Sequence, residues 1–327
     1  MKLIIQIPCY NEAETLPITL AALPRSVPGF DKVEWLVIDD GSTDDTVRVA
    51  KEAGVDYIVR HTRNRGLAGA FTRGIRECIR LGADVIVNTD ADNQYCADDI
   101  PALTRPVLDG SADLVVGARP IDSISHFSLP KKILQKVGSW VVRIVSRTSV
   151  DDVTSGFRAF SRNAARQFLV FNNYTYTIET IIQAGLKNMS VVSIPVRVNQ
   201  DLRPSRLIKS MPVYIFKSFT TIVRIFILYR PFRFFTAIGL LLFGLGFLVG
   251  VRFLYYYFTG YGGGHIQSLI LASVLLGMGF QTIMVALVAD LLASNRTLLE
   301  DIRFRQAETR DSHKYQEIDL RHRGDGA

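Results

Sequence analysis

The residues best equipped for chemistry in this 327-residue chain are Asp90 and Asp92. They lie in Asn88-Thr89-Asp90-Ala91-Asp92-Asn93-Gln94, directly behind the apolar run Ala83-Asp84-Val85-Ile86-Val87. A strand that ends in Asp-x-Asp sets two carboxylates at the carboxyl edge of a sheet, where open α/β sheets bind ligands. Two hard oxygen donors there, with the Gln94 amide two residues on, suit a divalent cation that bridges phosphate oxygens. A polar turn with Asp as a helix cap gives the same letters, so the pair alone leaves both readings open. Two further polar stretches lie behind apolar runs, Pro8-Cys9-Tyr10-Asn11-Glu12 and Asp39-Asp40-Gly41-Ser42-Thr43-Asp44. On the same edge their carboxylates can accept from ribose hydroxyls and base N–H groups. No G-x-G-x-x-G follows the first strand and no Walker A sequence occurs, which argues against dinucleotide and P-loop sites. Without a glycine loop to cradle phosphate, a metal must neutralise a bound diphosphate, which points back to Asp90 and Asp92.

The elements that must position these groups alternate. Strands are expected over residues 3–7, 34–38, 57–59, 84–87 and 113–116, and helices over 14–23, 44–53, 68–81 and 100–108. Alternation with apolar strands argues a mostly parallel sheet covered on both faces. A helix over 131–146 is amphipathic and basic, with Lys131, Lys132, Lys136, Arg143 and Arg147 around Ile133, Val137, Trp140, Val141 and Ile144. It reads either as a solvated helix packed on the sheet or as one lying at a membrane surface. The membrane implied by the rest of the chain favours the second.

Composition supplies that membrane. Hydrophobic residues make up 48% of the chain, and the excess is concentrated over residues 234–289. Residues 213–228 interleave Lys217 and Arg224 with Phe216, Phe219, Ile225 and Phe226, ahead of Arg230. Next, 234–251 and 266–289 run without Lys, Arg, Asp or Glu, each near the roughly 20 residues that cross a bilayer core. Between them Tyr255-Tyr256-Tyr257-Phe258 and Tyr261 form an aromatic belt and Gly262-Gly263-Gly264 a turn. Lys217, Arg224, Arg230 and Arg233 precede the first span and Arg296, Arg303 and Arg305 follow the second. With the first span extended to Phe258, Arg252 sits within it near one interface and snorkels, and the connecting loop has no Lys or Arg. Positive-inside bias therefore puts both ends in the cytoplasm. The net charge of +7 suits nucleic acid or an anionic membrane, and its placement favours the membrane, with no nucleic acid partner. Cys9, Cys78 and Cys96 have no metal-ligand spacing and read as reduced thiols of a cytosolic domain. The N-terminal apolar run is too short for a secretory signal and reads as a first strand. The expected order is a cytoplasmic domain over 1–209, an amphipathic juxtamembrane helix over 210–233, two transmembrane helices over 234–292 and a charged, mobile cytoplasmic tail over 293–327.

Taken together, the polar stretches resemble family 2 of the nucleotide-sugar glycosyltransferases. The match runs through P-x-Y-N-E from Pro8, V-I-D-D-G-S-T-D-x-T from Val37, Asn64-Arg65-Gly66, D-A-D-x-Q from Asp90 and Gly117-Ala118-Arg119, to Asp152-Val153-Thr154-Ser155-Gly156-Phe157-Arg158. The resemblance implies a GT-A fold, a Rossmann-like α/β domain with a mostly parallel sheet, here followed by the two-helix transmembrane hairpin. The D-x-x-S-G-F-R element with two C-terminal spans looks like the polyprenyl-phosphate glycosyltransferases, which include dolichol-phosphate mannose synthases and bactoprenol glucosyltransferases. The Q-x-x-R-W element of processive polysaccharide synthases is absent, the only tryptophans being Trp35 and Trp140.

The resemblance implies roles position by position. Pro8, Tyr10, Glu12, Asp39 and Asp40 match the nucleoside pocket, and Asp90, Asp92 and Gln94 match the metal and diphosphate site, where Mg²⁺ or Mn²⁺ bridges the leaving group. Arg119 and Arg158 match groups that meet phosphate oxygens, against the alternative of surface ion pairs. Asp152 matches the acceptor side and joins Asp90 and Asp92 as catalytic. Glu179 reads equally as a further acceptor-side carboxylate or a first-turn helix acid. Residues 200–209 stand where related enzymes carry a basic phosphate-binding loop, R-x-x-G-x-S-K, but without its glycine. The expected phosphate contacts there are Arg203, Ser205, Arg206 and Lys209. The implied reaction is metal-dependent, inverting transfer of one glucose- or mannose-type sugar from a UDP- or GDP-linked donor to a polyprenyl phosphate in the inner (plasma) membrane. A homo-oligomer is compatible with the sequence. The alternatives are transfer to another membrane lipid such as diacylglycerol, which needs an active-site base, and a non-catalytic nucleotide-sugar-binding scaffold. A two-helix transporter is weaker, because the spans contain almost no polar path.

Overall fold

Strands whose apolar residues run continuously, instead of alternating, must be covered on both faces, and the N-terminal part of the chain is built around such strands. The computed structural model describes residues 1–120, 129–168, 176–200, 220, 223–224, 227–260 and 266–324. The chain divides into two units, Met1–Ser218 and Phe219–Ala327. In the first, strands β1 (Lys2–Cys9), β2 (Lys32–Asp39), β3 (Tyr57–Arg60), β4 (Val85–Asn88), β5 (Leu114–Ala118), β6 (Arg158–Ser161) and β7 (Val191–Pro195) form one sheet in the order β3-β2-β1-β4-β6-β5-β7. Every pairing is parallel except those of β6, which runs antiparallel to both β4 and β5. The mostly parallel sheet expected from the alternation is therefore present, with one reversed strand that the alternation did not indicate.

Helices α1 (Leu16–Ala22), α2 (Thr46–Glu52), α3 (Leu67–Arg80), α4 (Ile100–Leu108), α5 (Leu129–Ser146), α6 (Arg162–Gln167) and α7 (Thr177–Leu186) accompany the sheet. The face of α3 that carries Ala68, Phe71, Ile75 and Cys78 is buried, at the spacing of one helical stripe. The central strands are sealed, with Leu3, Ile5, Ile7, Leu36, Val37 and Ile38 fully buried. Sequence order turns back between β1 and β4: the chain builds outward from β1 through β2 to β3, then crosses over to β4 on the other side. Such a switch point opens a crevice at the carboxyl ends of the two strands.

The second unit holds α8 (Pro231–Phe258) and α9 (Ile266–Gly324). Pro231–Phe258 and Ile266–Asn295 are long and apolar enough to cross a membrane, and only 11% and 17% of their most apolar stretches are buried. A soluble core helix would bury most of that surface. The two helices touch backbone to backbone. A Cβ on Gly279 would stand 2.6 Å from Phe243 N, and one on Gly246 would stand 2.9 Å from Leu276 N. Ala272 and Ala286 are buried as well, giving the small-residue seam on which apolar helices pack in lipid.

The charged segment after Phe304 continues α9 as helix through Gly324. The first apolar helix begins at Pro231, whose fixed φ and missing N–H suit a first turn. Arg203, Ser205, Arg206 and Lys209, the 210–219 part of the juxtamembrane segment and the 261–264 turn lie outside the described residues.

Candidate active site

The crevice between β1 and β4 is lined by the polar segments at their carboxyl ends, Tyr10–Glu12 beyond β1 and Thr89–Asp92 beyond β4. Asp90 is half-buried, and among the described residues its carboxylate accepts no hydrogen bond. Burial, and then the neighbouring Asp92 carboxylate, push the Asp90 carboxyl up to about 7, with Arg119 opposing them. Asp92 takes the Gln94 N–H on Oδ1 at 3.2 Å. Among the described residues no group of three or more His, Cys, Asp or Glu converges to cage a metal. The protein thus offers two hard carboxylates and leaves other positions open. That donor set fits Mg²⁺ or Mn²⁺ shared with phosphate oxygens and water, not a closed all-protein site.

A buried polar floor fixes this edge. Gln6 Nε2 donates to Asn88 Oδ1 at 2.8 Å, and Asn88 Nδ2 donates to the Gly156 carbonyl at 2.8 Å and to the Tyr176 hydroxyl at 2.9 Å. The Gly156 N–H donates to the Tyr95 hydroxyl at 2.9 Å. Tyr176 stacks on Phe71, and Tyr95 on Phe157, with ring centroids 3.8 and 5.0 Å apart. Burial raises the Tyr95 phenol to about 12 and Tyr176 well above its ordinary value, so both remain neutral hydroxyls. A Cβ on Gly156 would lie 3.0 Å from both Asp90 oxygens and 3.0 Å from Tyr176 Oη. Only a glycine lets the 155–157 backbone lie against the carboxylate without contact this tight. Gln6, Asn88, Tyr95 and Tyr176 were not among the expected site residues. Gln6 had a visible signal, a lone amide within an apolar strand; Tyr176 had none.

Asp152 and Arg119 form a buried pair. Arg119 Nε donates to Asp152 Oδ2 at 2.6 Å, and Nη2 donates to Asp152 Oδ1 at 3.2 Å and to Thr154 Oγ1 at 2.8 Å. The side chains of Arg119 and Asp152 are 8% and 1% exposed. Burial alone would raise the Asp152 carboxyl, but the Arg119 guanidinium and Thr154 hold it below the usual carboxylate range. The arginine expected to meet phosphate is therefore oriented by the aspartate expected on the acceptor side. Arg119 Nη1 makes no hydrogen bond among the described residues.

Arg158 is a correction. It is fully buried, and its guanidinium is consumed by Ser155 O (2.8 Å), Thr177 O (2.7 Å), Thr180 Oγ1 (2.7 Å) and Val153 O (2.9 Å). It ties the 152–157 loop to α7 and has no face left for a phosphate. Burial lowers its pKa to about 10, so it is still charged at neutral pH.

Of the expected nucleoside residues, Pro8 is buried at the end of β1, Tyr10 is 43% exposed beside it, and Glu12 is half-buried and accepts from Thr15 Oγ1 at 2.7 Å. Asp39 is sealed: its Oδ1 takes the Ser42 N–H at 3.0 Å, and Arg60 Nε stands 3.1 Å from Oδ2. Asp40 is corrected from ligand contact to scaffold. Its Oδ1 faces His61 Nδ1 at 2.7 Å and takes the Arg65 N–H at 2.9 Å, and its Oδ2 takes the Gly66 N–H at 2.8 Å. Asp40 thereby draws the 61–66 loop onto the edge. Gly41 makes the approach possible, with φ +76° and a would-be Cβ only 2.8 Å from the Arg63 carbonyl carbon. Glu179 is buried in the first turn of α7.

Comparison with known proteins gives a consistent picture. Residues 4–169 match the family model described as glycosyl transferase family 2. The chain is 31% identical over 219 residues to the undecaprenyl-phosphate mannosyltransferase of Micrococcus luteus, covering 63% of this chain and 88% of that one. It is 28% identical over 206 residues to the polyprenol monophosphomannose synthase of Mycolicibacterium smegmatis, covering 60% and 76%. Among solved structures, glucosyl-3-phosphoglycerate synthase from Mycobacterium tuberculosis, in complex with Mn²⁺, UDP-glucose and phosphoglyceric acid, aligns with a TM-score of 0.52. Its identity is 21%, and the alignment covers 68% of this chain and 79% of that one. A likeness at that identity speaks for the fold, which is of the GT-A type.

Proposed function

The chain belongs to glycosyl transferase family 2, and from that premise we propose that it transfers a single sugar from a nucleoside diphosphate donor to a polyprenyl monophosphate held in a membrane. The observation that carries the reading is Asp90, a half-buried carboxylate without a hydrogen bond among the described residues, set beside Asp92 at the β1/β4 switch point. The likeness to enzymes named for undecaprenyl phosphate and polyprenol supports the acceptor class.

In this reading Asp90 and Asp92 would hold Mg²⁺ or Mn²⁺, which would supply positive charge to offset that of a departing diphosphate. Tyr10 and Glu12 line the nucleoside side of the crevice, which Asp39 and Asp40 shape from behind. An acceptor phosphate oxygen attacks the anomeric carbon while the bond to the diphosphate breaks on the opposite face, its electron pair leaving with the nucleoside diphosphate and the configuration inverting. A phosphate monoester is largely ionised at neutral pH, its second pKa being about 6, so no strong base is required. Asp152 then acts by holding Arg119 in place, consistent with a carboxylate both of whose oxygens face that guanidinium. A lipid hydroxyl acceptor would need a free base, and Asp152 is poorly suited to that role. The two apolar helices support residence in a membrane, and the flanking charges favour a cytoplasmic site. Arg203 and Arg206 remain candidates for the acceptor phosphate.

The test is to incubate membranes containing the protein with labelled UDP- and GDP-sugars and polyprenyl phosphate, with and without Mn²⁺. One donor should yield a labelled, mild-acid-labile lipid that depends on the cation and disappears in Asp90→Asn. Absence of such a lipid from every donor refutes the proposal.

A further inference from the structure

The segment that leaves β7 runs back against the turn that follows Asp92. Tyr95 and Val198 form an isolated antiparallel bridge, and the Cys96 N–H donates to the Arg197 carbonyl at 3.2 Å. Beyond this bridge a single residue meets three successive carbonyls of the turn. The Asn199 N–H donates to Gln94 O at 2.9 Å, and its Nδ2 donates to Asn93 O at 2.9 Å and to Tyr95 O at 3.2 Å. Both N–H groups of the side-chain amide are thus spent on backbone. Asn93 itself stands at φ +56°, a left-handed conformation that asparagine tolerates.

The peptide between Asn93 and Gln94 is bonded along both of its edges. Its carbonyl accepts from Asn199 Nδ2, and its N–H, which points the opposite way in a trans peptide, donates to Asp92 Oδ1 at 3.2 Å. Among the described residues that is the one hydrogen bond the Asp92 carboxylate receives. Rotating this peptide would release Asn199 and Asp92 together. The other peptide beside Gln94 also ends on Asn199, through Gln94 O. Arg197 fastens the same segment elsewhere: its N–H donates to Asp99 Oδ2 at 2.7 Å, and its guanidinium to Asp99 Oδ1 at 2.9 and 2.7 Å. Groups that stand behind metal-binding side chains fix their orientation, and losing one typically weakens metal binding or activity by about 10–100-fold. We propose that Asn199 is a positioning residue for the metal site: it pins the Asn93–Gln94 peptide and through it sets the Asp92 carboxylate beside Asp90. The inference rests on the reading of Asp90 and Asp92 as metal-binding carboxylates, and it is independent of the sugar transferred. A residue that only stitched the fold together would lower the unfolding temperature and leave metal binding by the folded chain unchanged.

Asn199→Ala removes both side-chain donors, and Asn199→Ser leaves one short donor that cannot span two carbonyls; both keep the backbone N–H to Gln94 O. Arg197→Gln loosens the same segment from Asp99 and spares the Asn199 amide. The full chain in detergent and these variants are dialysed to equilibrium against Mn²⁺, alone and with UDP or GDP. The metal held above the level of Asp90→Asn is measured, and thermal unfolding is followed alongside. Mn²⁺ affinity should fall about tenfold or more in both Asn199 variants and stay at the native value in Arg197→Gln. The Mn²⁺ concentration for half activity should rise in step. Native affinity in a folded Asn199 variant overturns the proposal. An equal loss in Arg197→Gln overturns it as well, because the whole segment and not the amide would then set the site. Two Asn199 variants that fail to fold also overturn it, marking a residue that holds the domain together. A native chain that holds no more Mn²⁺ than Asp90→Asn under any condition refutes the metal reading itself, whereas native binding with unweakened Asn199 variants refutes only the positioning role.

Discussion

Replacing Arg158 with methionine separates two roles that the same residue could have: phosphate contact or buried clamp. Methionine keeps the length and apolar stem and removes every donor. Ser155 O, Val153 O and Thr177 O then lose charge-assisted hydrogen bonds of 2.8, 2.9 and 2.7 Å in a site closed to water. Thr177 O retains a weaker bond from Thr180 Oγ1 at 3.2 Å, so two carbonyls are orphaned outright. At about 1–3 kcal/mol for each unsatisfied buried acceptor, the loss is about 2–6 kcal/mol, a large part of the roughly 5–15 kcal/mol that holds a domain together. For a unit of this size each kcal/mol moves Tm by about 2–4 °C, so the expected fall is about 4–24 °C. Thermal unfolding of the detergent-purified chain reads that fall, and steady-state kinetics on the remaining folded enzyme should give an unchanged donor KM. An unaltered Tm with a donor KM raised about tenfold, as the loss of an arginine–phosphate contact would give, refutes the clamp.

The same geometry sets three further outcomes. Gly156→Ala places a methyl 3.0 Å from both Asp90 oxygens; displacement of a few tenths of an ångström should lower kcat about tenfold or more and raise the Mn²⁺ concentration for half activity, and an unchanged metal titration would count against Asp90 as a ligand. Asp152→Asn leaves Arg119 buried without its counter-charge, costing about 3–5 kcal/mol. In the native protein the lowered folded pKa of Asp152 means that the pair's stabilisation is present above the unfolded carboxylate value near 4 and is lost as pH falls through the folded value. The neutral variant should therefore lose stability at pH 7 and show a shallower acid denaturation profile, whereas equal acid sensitivity would exclude the pair as its source. Gly279→Leu drives a side chain into the Phe243 backbone; it should separate α8 from α9 and lower recovery from membranes while leaving the unfolding temperature of the first unit unchanged, as a double-transition melt can show.

The order of the elements and the place of the polar clusters on the carboxyl edge were legible because each depends on short-range pattern. Continuous apolar runs mark strands buried on both faces, and a polar cluster behind each run falls on the carboxyl edge whatever the details of packing. Span-length helices are legible for a similar reason, since length and absence of charge are local properties. The features that were not legible have a common origin in burial. Residues Arg158-Ala159-Phe160-Ser161 are too short and too polar at their ends to announce a central strand, yet β6 lies between β4 and β5. An arginine in a phosphate-associated motif reads as a ligand until its environment shows the guanidinium buried and held by four protein oxygens.

The amino-acid sequence by itself determined the alternating α/β class, the Asp90–Asp92 pair and the other polar motifs at strand ends, and the two apolar helices, because periodicity, strand-end position and charge-free length survive without any knowledge of neighbours. Tertiary structure decided which of the charged groups are free to act. Asp40 and Arg158 turned inward because loops at a switch point must satisfy their own backbone groups. Arg119 and Asp152, 33 residues apart in the chain, became one unit because a buried charge needs its opposite within reach. Asp90 kept a carboxylate without a hydrogen bond among the described residues, pressed against Gly156 over a floor of neutral hydroxyls and amides.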